Sequence, residues 1–218
     1  MYTIQDLFDL SHTRAAAYLA AFTYPWEALA GIGELIRRLG PALGEDFQER
    51  TPEVWVHKTA VVAPTAYLGA PCIIGAGTEV RHGAFIRGSA LVGDNCVVGN
   101  SVELKNVILF DGVQTPHYNY VGDSILGYKS HMGAGSITSN VKSDKLPVIV
   151  RCGDERIDTG RKKVGAMLGD FVEVGCNSVL NPGAVIGRHT RIYPLSSVRG
   201  TVPENSIYKR SGDIAAQR

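Results

Sequence analysis

Every sixth residue from Val56 to Leu104 is aliphatic: Val56, Val62, Leu68, Ile74, Val80, Ile86, Val92, Val98 and Leu104. Four residues after each of the first eight stands a mostly small side chain: Ala60, Ala66, Cys72, Thr78, Ala84, Ala90 and Cys96, with Val102 last. A period of six fits neither the 3.6 of a helix nor the 2 of a plain strand. It fits a short strand and a tight turn, repeated. Three such units close one triangular coil of 18 residues, with the aliphatic inside and the small residue in the corner, which is a parallel β-helix. The pattern lapses over 110–122. It resumes at Leu126, Met132 and Thr138, and again at Leu168, Val174, Leu180, Ile186, Ile192 and Val198.

The fold class expected is therefore all-β, with a short N-terminal helical segment. Ser11 should cap a helix running to about Phe22, and Pro25 should open a second, Trp26 to Leu39, closed by Gly40. Their apolar faces (Tyr18, Leu19, Phe22; Leu29, Ile32, Ile36) would pack on the coils or on a neighbouring chain. The organisation expected is a helical segment and linker over 1–50, the β-helix over 51–202 and a polar, basic tail over 203–218. A loop insertion over 141–164 interrupts the β-helix.

Composition narrows the function classes. Lys plus Arg is 22 and Asp plus Glu is 21, a net charge of +1, which argues against nucleic-acid binding by bulk electrostatics. Glycine, 25 of 218 residues, exceeds the usual ~7% and points to many turns. No apolar run reaches the ~18 residues of a membrane span, and the acidic start (Asp6, Asp9) is not a secretory signal. Cys72, Cys96, Cys152 and Cys176 show no metal-binding spacing, and reduced thiols in a cytoplasmic protein are expected.

Several residues could carry chemistry. Arg87 and Lys105 are one coil apart and each follows an inward aliphatic, so they should stack about 4.8 Å apart in adjacent strands. Something negative should lie between them, either Glu103 or a bound phosphate. His117 falls where the repeat lapses; a free imidazole titrates near ~6.5 and suits a general base, though a loop histidine is more often plain surface. His131 is a second candidate, while His12, His57, His82 and His189 read as structural. A zinc site would need a third histidine shortly after His117, and position 122 is Gly, so no metal is expected. Gly133-Ala-Gly135 could expose amides to an oxyanion, or be an ordinary turn. Cys176 has no adjacent Lys or His to activate it and reads as a small buried residue.

Four segments in order, Asn100-Ser-Val-Glu-Leu-Lys105, His117-Tyr-Asn-Tyr-Val-Gly-Asp123, Gly133-Ala-Gly-Ser-Ile-Thr-Ser-Asn140 and Thr159-Gly-Arg-Lys-Lys-Val-Gly-Ala166, resemble a known family. It is the left-handed hexapeptide acyltransferases, in particular the acetyltransferase domain of bifunctional glucosamine-1-phosphate acetyltransferase/N-acetylglucosamine-1-phosphate uridylyltransferases and their archaeal relatives. The resemblance covers roughly Val54 to Arg210. It implies a left-handed coil, a homotrimer, and transfer of acetyl from acetyl-CoA to an amino sugar phosphate or related sugar amine.

By position it further implies that His117 is the base, that Arg87, Lys105 and Lys163 hold the sugar phosphate, and that Tyr120 and Asn140 contact the sugar. The Ala134 amide matches the oxyanion donor, and Arg210 a coenzyme A ligand. Three positions depart from the family. His131 replaces an asparagine near the amine, Val141 a tyrosine, and Cys176 a serine in the acyl-transfer region. No nucleotidylyltransferase start precedes the coils, so uridylyl transfer is not expected. The rival reading is a non-catalytic trimeric scaffold for a separate nucleotidylyltransferase.

Overall fold

The computed structural model describes residues 1–210 and 212–217. From Val54 onward the chain winds as a parallel β-helix with three faces. The first face stacks Val54–His57, Cys72–Ile74, Ala90–Val92, the second halves of Glu103–Leu109 and Tyr120–Leu126, then Ala166–Leu168, Ala184–Ile186 and Thr201–Val202. The second stacks Tyr67–Leu68, Phe85–Ile86, the first halves of those two long strands, Ile137–Thr138, Val179–Leu180 and Ser197–Val198. The third runs from Val61–Val62 through Glu79–Val80, Val97–Asn100, Gln114–His117, His131–Met132, Glu173–Val174 and Arg191–Ile192 to Ser206–Arg210. The inward aliphatics named from the repeat are the core: Ile74, Ile86, Val92, Val98 and Leu104 are fully buried.

The repeat does not lapse over 110–122, as its spacing alone suggested; it slips frame. After Leu104 the next inward residue is Leu109, five on instead of six. Thr115 and Val121 follow at the normal step, and then Leu126 again comes five on. All four are fully buried. The register records the slip: Ile86 pairs Leu104, but Val92 pairs Leu109 and Leu109 pairs Leu126, so these coils are one residue shorter. The missing residue is taken out at the corner between the second and first faces, where Asn106 (φ 54°) and Asp123 (φ 48°) turn the chain in the left-handed region. Short polar side chains tolerate that conformation best after glycine.

Coils this close leave no room at some edge positions. A Cβ at Gly99 would run into the Pro116 carbonyl of the next coil. Gly99→Ala is expected to destabilise by about 1–3 kcal/mol through overpacking; a thermal melt superimposable on the parent chain would refute this.

The N-terminal segment differs from the two long helices expected. Thr3 caps a turn over Ile4–Leu7. Ser11 caps nothing: its N–H and hydroxyl both donate to Asp9, which caps the turn Leu10–His12, and only Ala16–Leu19 is helical beyond it. Pro25 opens a 3₁₀ stretch, Pro25–Gly31, with Glu27 accepting from the Thr23 and Tyr24 N–H groups, and this runs into the helix Ile32–Leu39, capped by Gly40. Trp26, Leu29, Ile32 and Ile36 are buried against the coils.

The segment travels back along the whole β-helix. Tyr2 Oη accepts from Glu204 N–H near the last coil, Asp170 N–H donates to Leu7 C=O, and Asp111 N–H to His12 C=O. Arg14 pairs with Asp94 at 2.8 Å, and Asn106 donates to Leu29 C=O. Phe47–Thr51 then pairs antiparallel with the first coil strand, Val54–His57. At the far end Ser206–Arg210 and Asp213–Ala216 form an antiparallel hairpin. A second hairpin, Ile149–Cys152 with Glu155–Asp158, occupies the interruption of the repeat.

Candidate active site

The frame slip builds a polar cluster on the second face. Asp123 is only 2% exposed. Its carboxylate accepts from Lys105 Nζ at 3.0 and 3.1 Å, from the Asn106 side-chain amide at 2.9 Å and from the Asn140 side-chain amide at 2.6 Å. Asn140 also donates to Tyr120 Oη at 3.1 Å, and burial pushes the Tyr120 phenol up. Val141 bridges Lys163, and Val164 N–H donates to Asn140 C=O, so Lys163 lies alongside Asn140. Arg87 stacks on the Lys105 coil, since Arg87 N–H donates to Leu104 C=O. Glu103 answers the question left by those stacked cations: it accepts from Arg87 at 2.7 Å. A cavity of about 330 Å³ opens beside Arg87, Lys105 and Asn106.

The catalytic candidates line the edge between the third and second faces. Asn100 pairs with His117. Gly135 N–H donates to His117 C=O at 3.0 Å, Asn177 N–H to Ala134 C=O at 2.8 Å, and Leu195 N–H to Cys176 C=O at 2.9 Å. His117, Ala134 and Cys176 therefore stand in one column, each a coil apart, about 4.8 Å from the next. Arg210 belongs to the strand that pairs with Arg191 and Ile192, near the same edge, and is exposed beside Asp213. The His117 side chain is exposed; the His117 backbone N–H donates to Asn119 Oδ1, and the buried Asn119 amide donates to Gly133 C=O and Ser136 C=O. The Ala134 amide makes no hydrogen bond among the described residues.

Cys176 is exposed, not the small buried residue its surroundings in sequence suggested. It sits at the outer edge, and the buried corner slot is taken by Ser178 two residues on. Cys72 and Cys96 do fill buried slots, where loss of water pushes their thiols up to about 12.

His131 lies on the third face with Nδ1 2.9 Å from Glu173 Oε2. It opens onto a cavity of about 310 Å³ with Gly133, Glu173, Cys176 and Tyr193. The structure thus gathers the site residues into two groups on either side of one edge. Arg87, Lys105, Tyr120 and Asn140 are on the second face, with Lys163 alongside Asn140. His131 is on the third face, and His117, Ala134 and Cys176 are on the edge itself. Asp123 and Asn106 carry no signal in the uncorrected period of six. Counting the repeat with a one-residue slip would have aligned them.

Residues 71–155 match the family model described as GMPPB C-terminal domain. The chain is 38% identical over 109 residues to a bifunctional sugar-1-phosphate nucleotidylyltransferase/acetyltransferase of Sulfurisphaera tokodaii, covering 50% of this chain and 27% of that protein. It is 31% identical over 191 residues to the bifunctional protein GlmU of Methanococcus maripaludis, covering 86% of this chain and 46% of that one. The chain thus spans less than half the length of these relatives. Among solved structures, a hexapeptide transferase family protein from Anaplasma phagocytophilum is similar at 14% identity and TM-score 0.41, over 76% of this chain and 80% of that one. No helix among the described residues is long and apolar enough to cross a membrane. The chain is a hexapeptide-repeat β-helix related by sequence to the bifunctional sugar-1-phosphate nucleotidylyltransferase/acetyltransferases.

Proposed function

We propose that this chain transfers the acetyl group of acetyl-CoA to the amine of an amino sugar phosphate or a closely related sugar amine. The observation that carries this reading is the edge column, with an exposed imidazole one coil from an unengaged backbone amide, and the cations Arg87 and Lys105 beside a cavity on the adjoining face. In the reaction the amine nitrogen attacks the thioester carbonyl carbon. His117 takes the amine proton as the C–N bond forms. The oxyanion accepts from the Ala134 N–H. The C–S bond then breaks, and the proton passes to the leaving thiolate. No acyl-enzyme forms.

Arg87, Lys105 and Lys163 hold the sugar phosphate and set the amine against His117. Arg87 is exposed, and trading Glu103 for a phosphate costs it little, since surface ion pairs are worth ~0–1 kcal/mol. Tyr120 and Asn140 contact the sugar ring, His131 sits by the amine, and Cys176 and Arg210 lie along the path of coenzyme A.

The two residue groups flank one edge, so a neighbouring copy would close the cleft between them, in a trimer. The N-terminal segment already packs on the first face, which leaves the second and third for neighbours. Tyr67 and Phe85, exposed on the second face with ring centroids 5.4 Å apart, fit such an arrangement.

A non-catalytic scaffold is the second reading. One observation favours it: Arg87 and Lys105 each already have a carboxylate partner. Thiol release from acetyl-CoA separates the two, measured against glucosamine-1-phosphate, galactosamine-1-phosphate and nucleoside-diphosphate amino sugars. Acceptor-dependent release is expected, with Arg87→Ala raising the acceptor KM roughly 10-fold, the worth of one charge-assisted hydrogen bond. No release with any acceptor, together with no coenzyme A binding, would favour the scaffold.

A further inference from the structure

We propose that the hairpin Ile149–Cys152/Glu155–Asp158 and the coils beneath it form a second binding site, for a phosphate group, which shares no residue with the Arg87 cluster. A cavity of about 370 Å³ lies between them, lined by Lys142, Ile149, Arg151, Asn181, Pro182 and Arg199, with Gly200 at its rim. It contains three cationic side chains and no carboxylate. Lys142 is engaged by Asp144 at 3.0 Å. Arg151 and Arg199 form no ion pair among the described residues. Arg151 also stands opposite Arg156 across the hairpin, and like charges in that position repel. A cavity walled by two unpaired guanidinium groups and no acid favours a dianion, and the planar fork of arginine matches phosphate oxygens.

The site is held rigidly. Val148 and Val150 are fully buried, and the alternate residues, Ile149 and Arg151, line the cavity. The hairpin sits directly on two left-handed corners: a Cβ at Gly183 would come within 2.8 Å of Val148 Cγ1, and one at Gly200 within 3.2 Å of the Arg151 carbonyl. On the coil side the Asn181 amide is fixed by Ser197 Oγ and Val198 C=O. Arg199 follows Val198 on the second face. Neither arginine therefore depends on a flexible loop for its place, and the site stands whether or not the chain transfers acetyl groups.

Calorimetric titration of the full chain with inorganic pyrophosphate tests this. The Arg151→Ala/Arg199→Ala chain should bind at least about 10-fold more weakly than the parent, since a single charge-assisted hydrogen bond is worth about that factor. An Arg87→Ala chain should keep the Arg151/Arg199-dependent binding. Unchanged melting of the double variant, whose two side chains are exposed, would show that the fold is intact. A second arm locates the phosphate: if the double variant weakens coenzyme A but not 3′-dephospho-coenzyme A, the site takes the 3′-phosphate of the coenzyme. If it weakens pyrophosphate and neither coenzyme, the site takes a free phosphate or diphosphate. No binding by the parent chain, or equal affinity in parent and double variant, overturns the proposal.

Discussion

Replacing His117 with alanine is expected to lower the turnover of acetyl transfer by about 10²–10⁴-fold, the range for removal of a positioned general base, while the melting midpoint stays put. The stability half of this expectation comes from the side chain's place. It projects into solvent at the prism edge, and the bonds that hold the local backbone, His117 N–H to Asn119 Oδ1 and Gly135 N–H to His117 C=O, survive the substitution. The catalytic half comes from its neighbour in the column, the unengaged Ala134 amide one coil away. Thiol release from acetyl-CoA and a thermal melt, each run on parent and variant, check the two halves. Full turnover in a folded His117→Ala chain would remove the base assignment.

Asp123→Ala is expected to act in the opposite order, on stability first. Its carboxylate gathers side chains from three coils, Lys105 and Asn106 from one, Asn140 from another, and itself from the coil between. Removing one partner of a buried ion pair costs ~3–5 kcal/mol. Lys105 is 28% exposed and recovers some hydration, so about 2–3 kcal/mol is the expected loss. For a chain of this size that lowers the melting midpoint by roughly 4–12 °C. The survivors should bind acceptor more weakly, because Lys105 and Asn140 lose the group that aims them. Asp123→Asn keeps an acceptor for Lys105 and should fall between. A melt unchanged in Asp123→Ala would show that the cluster is solvated and not a structural node.

How much of this is legible in the residues follows from what a period can encode. The inward aliphatics from Val56 to Leu104 specify coil, face and core at once, because each position has only one place to go. The region from Leu104 to Leu126 reads as a lapse for a physical reason: two one-residue deletions leave the spacing between them intact and change only the phase. Leu109, Thr115 and Val121 keep the period of six among themselves. The polar corner made by those deletions, Asn106 and Asp123, escapes a sequence reading for the same reason.

Cys176 misleads because a cysteine among small residues suits a buried slot, and only the count to Ser178 shows that slot is filled. Ser11 has the chemistry of a cap, but Asp9 two residues earlier outcompetes it, and tertiary bonds from Arg14 to Asp94 and from Asp111 to His12 fix the segment more strongly than its own helix propensity. Side-chain partners such as Glu103 for Arg87 are among the options the spacing allows. The pairing of His131 with Glu173 is not, since the inserted hairpin separates them in sequence and joins them in space.

The N-terminal segment has a consequence for how the molecule comes apart. A stack of coils that touch only their neighbours behaves as a one-dimensional chain, free to fray from either end, each coil opening at its own modest cost. Here residues 2–36 reach from the Glu204 turn past Asp170, Asp111 and Asp94 to the coils around Asn106. A terminal coil cannot peel away without lifting a strap that is also fastened to coils several steps distant. The strap turns a row of separable units into a single cooperative unit, while Phe47–Thr51 and Asp213–Ala216 pair with the end strands Val54–His57 and Ser206–Arg210, whose open edges would otherwise be templates for another chain.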